Sequence, residues 1–83
     1  MKILYFAWLR QRVGAGEETV DLPADVKNVG QLIDWLKTRG PAYQAALSDT
    51  SAIRVAVNHE FAGLDAAIAA GDEIALFPPM TGG

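Results

Sequence analysis

Two glycines at the end of the chain, Gly82 and Gly83, are the residues whose type and position suggest chemistry. Glycine has no Cβ, so a terminal pair fits a narrow channel and leaves the last carbonyl open to attack. A carboxylate reacts with nucleophiles only after one of its oxygens becomes a good leaving group, and adenylation is the usual biological route. The Gly83 carboxylate is therefore a candidate substrate of an activating enzyme. A flexible end without function explains the same two glycines equally well.

The residues before these glycines should project the end of the chain away from the fold. Proline has a fixed φ and no N–H, and it biases the preceding residue toward extended conformations. The six residues from Pro78 to Gly83 reach about 20 Å at ~3.3 Å each, which is enough to enter a neighbouring enzyme. We therefore predict a domain over residues 1–77 and an extended tail over residues 78–83. The predicted partner-binding residues are Phe77, Pro78, Pro79, Met80 and Thr81.

Other reactive side chains fit ordinary structural roles better. His59 is the only histidine and lies in a predicted turn, where a solvated side chain is far more common than a metal ligand or a general base. The chain also has two pairs of adjacent acids, Glu17-Glu18 and Asp72-Glu73. Neighbours in a strand point to opposite faces, so neither pair shares a proton or a metal ion easily. We interpret these acids as solvated or partner-facing charges and predict no metal site.

Composition limits the class of protein. A chain of 83 residues has room for one domain, and 51% hydrophobic with 20% charged residues is typical of a compact globule. A net charge of −3 argues against a nucleic-acid binder and favours a protein partner. The chain has no cysteine, which excludes a catalytic thiol and fits a reducing, cytoplasmic location. No apolar run approaches the ~20 residues of a membrane span.

The start of the chain predicts a central strand that forms a hairpin with the next. Residues 3–9 are a continuous apolar, β-prone run, which is typical of a strand with both faces covered. Gly14 and Gly16 supply a turn, and residues 17–22 then alternate between polar and apolar until Pro23 ends them.

The clearest helix begins at Asn28. Its side chain can cap the first turn, and Gln31 three residues later completes a capping-box pattern. Apolar residues then recur at i, i+3, i+4 and i+7, which predicts one buried stripe of Val29, Leu32, Ile33 and Leu36. Gly40 and Pro41 should end the helix.

Shorter elements follow this helix. We predict a helical turn over residues 42–47, a strand over 53–57, a turn over 58–60, a short return strand at Phe61 and a final strand over 73–77. This order indicates an α+β fold of the β-grasp type, a mixed sheet of four to five strands with one main helix across one face. Its first and last strands would pair in parallel. Trp8, on this first strand, and Trp35 fit ordinary core positions, and the remaining apolar residues on the second face of the first strand would form with Phe77 a patch that binds a partner protein.

Several segments resemble the small subunits of molybdopterin synthases, a family of ubiquitin-like sulfur carriers. The similar segments are Tyr5-Phe6-Ala7, Leu9-Arg10, Val13-Gly14, Val55-Ala56-Val57-Asn58, residues 71–79 and Gly82-Gly83. The ending is similar almost position by position, and Met80-Thr81 falls where that family has a variable pair. The resemblance covers essentially the whole chain.

The resemblance implies a mechanism. A ubiquitin-activating-like adenylyltransferase would use ATP to adenylate the Gly83 carboxylate, with Gly82 giving access, and a sulfur donor protein would convert it to a thiocarboxylate. Inserted into the large synthase subunit, Gly83 would give its sulfur to a cyclic pyranopterin phosphate and help to build the dithiolene that later holds molybdenum. The chain would bind no cofactor and supply no catalytic side chain, because these belong to the large subunit of a heterotetramer. A C-terminal thioacid also explains the missing cysteine.

Three different functions remain compatible with the residues. The sulfur carrier of thiamine synthesis shares the β-grasp fold and the Gly-Gly end, but it is typically shorter and lacks the element Phe77-Pro78-Pro79. A ubiquitin-like modifier would be joined to lysines through Gly83, and a non-covalent β-grasp binding module would not need the two glycines. The residues by themselves lead to an activated C-terminal carboxylate, and only the family resemblance separates these functions from sulfur transfer to a pterin.

Overall fold

The computed structural model describes residues 1–79, which form five strands and three α-helices. The bounds are β1 Lys2–Tyr5, α1 Ala7–Val13, β2 Glu17–Thr19, α2 Val29–Lys37, α3 Pro41–Leu47, β3 Arg54–Val57, β4 Glu60–Ala62 and β5 Glu73–Phe77, with a 3₁₀ turn at Thr50–Ala52. Strands β3, β4 and β5 follow the helices, and β5 returns to pair with β1.

The strands form one mixed sheet in the order β2-β1-β5-β3-β4. β1 pairs antiparallel with β2 and parallel with β5, so that Ile3 lies opposite Ile74 and Tyr5 opposite Leu76. A parallel pair needs a long crossover, and the segment with α2 and α3 supplies it. The predicted parallel pairing of the first and last strands is confirmed.

Alternate strand residues build the core on one face of the sheet, as the two-residue period of a strand requires. The nearly completely buried strand residues are Ile3, Tyr5, Val55, Ile74 and Leu76. α2 packs its predicted stripe of Val29, Leu32, Ile33 and Leu36 into the same core, and each of these side chains is at most 1% exposed. The other face, here called the open face, presents Lys2, Leu4, Ala56, Phe61, Glu73, Ala75 and Phe77, all half-buried or exposed.

The predicted cap of α2 is present. The Gln31 N–H donates to Asn28 Oδ1 at 2.8 Å, and Gln31 Oε1 accepts from the Lys27 N–H at 2.7 Å. These two bonds join the first turn of the helix to the chain that leads into it. The helix ends at Lys37, and α3 begins at Pro41, which confirms the second helical turn.

The prediction of one strand over residues 3–9 is wrong. β1 stops at Tyr5, and Ala7, the first residue of α1, adopts a φ of +55°, which lies outside the β region. Leu9 and Val13 are spaced for a helix, and the N–H of Gly14 closes α1 by donating to Arg10 O at 3.0 Å. The connection between β1 and β2 is therefore a helix rather than a tight turn. The antiparallel pairing is retained, although β2 is shorter than predicted.

The second half of the chain agrees with the prediction. β3, β4 and β5 form where the sequence indicated, and Asn58 and His59 have φ values of +51° and +71°. A two-residue hairpin turn requires this left-handed pair. The turn sets the register of β4 on β3, in which Phe61 lies opposite Ala56.

Residues 64–68 cover the start of α2. This segment is too short for its structure to be predicted from the sequence. The Val29 N–H donates to Ala66 O at 3.1 Å and the Gly30 N–H donates to Leu64 O at 2.8 Å. First-turn N–H groups of a helix have no partner within the helix. These carbonyls supply partners and hold the connection between β4 and β5 against α2.

Candidate functional site

The chain leaves the sheet at the carboxyl end of β5. Phe77 is the last residue of that strand, and Pro78 and Pro79 follow it, half-buried against the fold. Outside the described residues lie Met80, Thr81, Gly82 and Gly83. Their roles stay predictions, as does the boundary between residues 1–77 and 78–83.

An apolar groove lies beside this exit, on the open face. Its volume is about 520 Å³ and its walls are almost entirely apolar. The residues that line it are Phe6, Ala7, Ala56, Phe61, Ala75, Phe77, Pro78 and Pro79. Because Ala56 and Ala75 are small, the floor of the apolar groove is low between larger side chains. The predicted partner-binding residues Phe77, Pro78 and Pro79 are thus brought together with residues from the β1–α1 junction, β3 and β4.

Three phenylalanines dominate the apolar groove. Phe61 is 86% exposed and Phe6 is 46% exposed. The Phe61 ring centroid lies 5.9 Å from that of Phe77, with 48° between the ring planes, within the range of favourable aromatic pairs. Contiguous exposed apolar surface on a small protein marks a site of protein interaction. An apolar surface beside Phe77 is thus present, and its binding of a partner stays a prediction.

The chain directly after β1 contributes to this patch, but Trp8 does not. Phe6 and Ala7 line the apolar groove, whereas Trp8 lies on α1, half-buried. The Arg12 guanidinium carbon sits 5.0 Å from the centroid of the Trp8 ring, a cation–π distance. The expectation that Trp8 follows the strand fails because β1 ends before it.

Sequence reasoning also missed Phe61 and Ala56 as parts of the site. The hairpin register contains the signal that could have found them. A two-residue turn at positions 58 and 59 places Phe61 opposite Ala56, and the alternation from buried Val55 puts both on the open face. The missing information was therefore the turn type and not the residue types.

Charged side chains occupy the other end of the open face. Lys2 Nζ lies 3.4 Å from Glu17 Oε2 and 3.9 Å from Glu73 Oε1, and His59 Nε2 lies 3.0 Å from Glu73 Oε2. The His59 side chain is 86% exposed in its turn, as predicted. The two contacts of Lys2 are exposed ion pairs of a kind that contributes little to stability.

Asp72 shapes the turn before β5. Its carboxylate accepts from Asn58 Nδ2 at 3.0 Å and from the Ala69 N–H at 2.8 Å. These two hydrogen bonds, the one from Asn58 first, lower the pKa of the Asp72 carboxyl. Asp72 and Glu73 make separate contacts, in agreement with the prediction that this pair does not form a shared site.

The prediction that Glu18 is a solvated or partner-facing charge is wrong. Glu18 lies opposite buried Ile3 in the β1–β2 register, so its side chain is on the helical face. Its carboxylate accepts from the Tyr5 hydroxyl at 2.7 Å, from the Tyr43 hydroxyl at 2.9 Å and from Arg39 Nη1 at 2.9 Å. Burial, and then the bond to Glu18, raises the pKa of both tyrosine hydroxyls. Glu18 is a structural residue that joins β2 to β1 and α3.

The apolar groove and the rest of residues 1–79 differ in the groups that they present. Within this range no group of three or more His, Cys, Asp or Glu side chains is placed to hold a metal ion. No helix there is long and apolar enough to cross a membrane. The apolar groove itself presents no acid or base, so it can hold a partner but not transfer a proton.

Comparison with known proteins places the chain in a family. The model of the ThiS family matches residues 3–83. The chain belongs to the ThiS family. The molybdopterin synthase sulfur carrier subunit of Escherichia coli is 34% identical over 83 residues, which are 100% of this chain and 99% of that protein. Small archaeal modifier protein 1 of Haloferax volcanii is 39% identical over 83 residues, 94% of each chain.

Solved structures agree with this assignment. A crystal structure of the same Haloferax volcanii modifier superposes with a TM-score of 0.78 at 38% identity, and the match covers 100% of this chain and 98% of that one. The BexX/CysO complex of Amycolatopsis orientalis contains a chain that matches with a TM-score of 0.68 at 25% identity, over 99% of this chain and 98% of that one. The ubiquitin-like β-grasp fold predicted from the sequence is confirmed, and so is the family resemblance.

Proposed function

We propose that this chain is the sulfur carrier subunit of a molybdopterin synthase. The observation that carries the proposal is that the apolar groove lies directly beside Pro78 and Pro79, where the chain continues toward Gly83. A partner that docks in the apolar groove is placed to receive the end of the tail. The full-length similarity to a molybdopterin synthase sulfur carrier subunit supports this assignment.

The reacting group in this proposal is the Gly83 carboxylate. One of its oxygens attacks the α-phosphorus of ATP in a ubiquitin-activating-like adenylyltransferase, and pyrophosphate leaves. A sulfur donor protein then delivers hydrosulfide, whose sulfur attacks the carbonyl carbon of the Gly83 adenylate. AMP leaves, and the end of the chain becomes a thiocarboxylate. Gly82 allows the end to pass into a narrow active site because it has no Cβ. All of these steps take place in the cytoplasm.

The large synthase subunit is the partner proposed for the apolar groove. Residues 80–83 span at most about 14 Å when fully extended. The active site of the large subunit must therefore lie within that distance of Pro79. Exposed aromatic side chains that enter a partner pocket are typical of the few residues that dominate binding, and Phe61 and Phe6 are placed for this role. Docking in the apolar groove sets the direction in which the tail enters.

The proposed reaction gives the sulfur of Gly83 to a cyclic pyranopterin phosphate. This chain donates sulfur and binds no cofactor of its own, and ATP is used by the activating enzyme. The catalytic side chains come from the large subunit, because the apolar groove offers none. The assembled enzyme is a heterotetramer in this proposal.

Intact-mass spectrometry tests the sulfur-carrier function. The purified chain is incubated with ATP, the cognate activating enzyme and a sulfide source. We expect the mass increase that corresponds to replacement of one oxygen by sulfur, located at Gly83 by fragmentation. An unchanged mass, with the same activating enzyme active on another carrier, would contradict the proposal.

A ubiquitin-like modifier is the second candidate function. It is favoured by the similarity to small archaeal modifier protein 1 in both sequence and structure. The two functions share adenylation of Gly83 and differ in the nucleophile, which is a lysine amine in a modifier. Isopeptide-linked conjugates of Gly83 in cell extracts would support the modifier, and their absence with thiocarboxylate present would support the sulfur carrier.

The thiamine-pathway carrier and the non-covalent binding module are less well supported. A thiamine-pathway carrier is expected to lack the element Phe77-Pro78-Pro79, which here lines the apolar groove. A non-covalent binding module should keep full activity when Gly82 and Gly83 are deleted. Sulfur transfer to a thiazole precursor rather than to a pterin would identify the thiamine-pathway carrier.

A further inference from the structure

Ala7 has a backbone conformation that side chains with a Cβ rarely adopt. Its φ is +55°, in the left-handed region where the Cβ of an L-residue crowds the carbonyl oxygen. Among the described residues, the other non-glycine residues with positive φ are Asn58 and His59. Those two form a two-residue hairpin turn, which requires the left-handed conformation. Ala7 is the first residue of α1 and the second residue of a turn that the Leu9 N–H closes on Phe6 O. Positive φ at that turn position is normally supplied by glycine, asparagine or aspartate.

Hydrogen bonds on both sides hold Ala7 in this conformation. The Tyr5 N–H donates to Gly16 O at 2.9 Å, and the Phe6 N–H donates to Leu76 O at 3.1 Å. After the bend, the Leu9 N–H donates back to Phe6 O at 3.2 Å. The chain thus leaves the sheet sharply at one residue, and the surrounding contacts determine where the bend lies.

The bend holds the backbone directly after Phe6, because the turn through Ala7 lets the Leu9 N–H bind Phe6 O, and the alternation of β1 turns the Phe6 side chain to the open face. Tyr5 is 1% exposed and lies in the core, whereas Phe6 is 46% exposed and lines the apolar groove. Ala7 lines the apolar groove as well. A residue in a sparsely populated conformation persists only when its surroundings hold it there, and such residues concentrate at functional sites.

We propose that Ala7 is a positioning residue that holds Phe6 in the wall of the apolar groove before a partner binds. Glycine at this position would adopt the same φ without steric cost, but it would also adopt many others. Alanine has fewer accessible conformations than glycine. Together with the three hydrogen bonds around it, it holds the β1–α1 junction in one conformation. This inference rests on the proposed function, because the partner is the large synthase subunit.

The test compares Ala7→Gly with wild type in binding to the large subunit of the same organism. If glycine lowers the population of the binding-competent junction to a fifth, the Kd rises about fivefold. The midpoint of thermal unfolding should change little, because relief of the steric cost offsets the larger entropy of the unfolded chain. Backbone amide order parameters of free Ala7→Gly should fall at Phe6 and not in α2.

Two controls separate positioning from other effects. Ala45→Gly makes the same substitution at an exposed position of α3, a helix on the core side of the sheet that does not line the apolar groove, and it should leave the Kd unchanged. D-alanine in place of Ala7, introduced by chemical ligation, favours positive φ but moves the methyl group. It should retain wild-type affinity if the backbone conformation is what matters. Affinity as low as that of Ala7→Gly would instead assign the effect to a methyl contact and overturn the proposal.

Phe61→Ala distinguishes failure of this inference from failure of the proposed function. If Phe61→Ala weakens binding and Ala7→Gly does not, Ala7 has no positioning role although the apolar groove is the docking site. If neither variant weakens binding, the apolar groove is not the docking site and both proposals fall. Weaker binding in both, with wild-type affinity in Ala45→Gly and in the D-alanine chain, is the expected result.

Discussion

The two faces of the sheet are built from alternate residues of the same strands and yet have different surroundings. On β5, Ile74 and Leu76 point into the core beneath α2, whereas Ala75 and Phe77 point to the open face. The chain covers the first face with its own helices and leaves aromatic rings exposed on the second. Stability of the fold and affinity for a partner therefore depend on different side chains, and substitutions should change them separately.

The largest effect is expected beyond both faces, at the end of the tail. Extending the chain by one residue after Gly83, or the substitution Gly82→Val, should abolish sulfur loading because the carboxylate is displaced or its approach is blocked. The unfolding midpoint should stay at the wild-type value. Intact mass and thermal unfolding measure the two quantities, with Asp34→Ala, on the exposed side of α2, as a control that should load normally. Full loading of either altered chain would contradict the mechanism.

A change in the helical face should affect stability strongly. Leu32→Ala should lower the free energy of unfolding by about 2–5 kcal/mol, through lost burial and the cavity that it leaves. Asp34→Ala, on the exposed side of the same helix, should change it by less than about 0.5 kcal/mol. Urea unfolding followed by circular dichroism gives both values. Equal urea midpoints for the two variants would show that the apolar stripe of α2 does not contribute to the stability of the core.

The matched change on the open face should affect binding instead. Phe61→Ala should weaken binding to the large synthase subunit about tenfold, as truncation of an exposed aromatic anchor does. Its free energy of unfolding should stay within about 0.5 kcal/mol of wild type. Leu64→Ala is the control, since Leu64 is 48% exposed but does not line the apolar groove. Calorimetric titration should give a higher Kd for Phe61→Ala than for Leu64→Ala. Equal losses of affinity would mean that removal of any exposed apolar side chain weakens binding.

A smaller effect is expected from pH, and it belongs to the helical face. Burial, with the bond to Glu18, raises the pKa of Tyr5 above its ordinary value of 10.0. The unfolded chain therefore releases this proton first, so the stabilisation is complete below pH 10 and is lost as the pH rises further. Tyr5→Phe should remove this part of the pH dependence, a difference of about 1 kcal/mol between pH 10 and pH 11. Urea unfolding at both pH values tests it, and parallel curves for the two chains would exclude Tyr5 as the source.

Elements with local signals were predicted well. The cap at Asn28 and the apolar stripe of α2 depend on residues within two turns of one another, and both are present as expected. The residues before Trp8 carried no such signal. A continuous apolar run fits a buried strand and a buried helix alike, and the bend at Ala7 that separates β1 from α1 is held by hydrogen bonds to Gly16 and Leu76.

The error at Glu18 and the omission of Phe61 from the site have a common cause. The residue type of Glu18 predicts a solvated acid, and the predicted return strand at Phe61 carries no indication of its face. Their faces are set by pairing, Glu18 opposite Ile3 and Phe61 opposite Ala56, and a slip of one residue reverses every face. Strand register depends on turns and partners that a single segment does not contain.

By itself, the sequence determined the helix α2, the order of the later strands and the Gly82-Gly83 end, because capping, periodicity and terminal chemistry are properties of neighbouring residues. Only the tertiary structure decided that Phe6, Phe61 and Phe77 meet in one apolar groove beside the tail. These three come from the end of β1, from β4 and from β5, and nothing in their local sequences brings them together. Their meeting follows from the parallel pairing of β1 with β5 and the register of β4 on β3, both of which are long-range contacts.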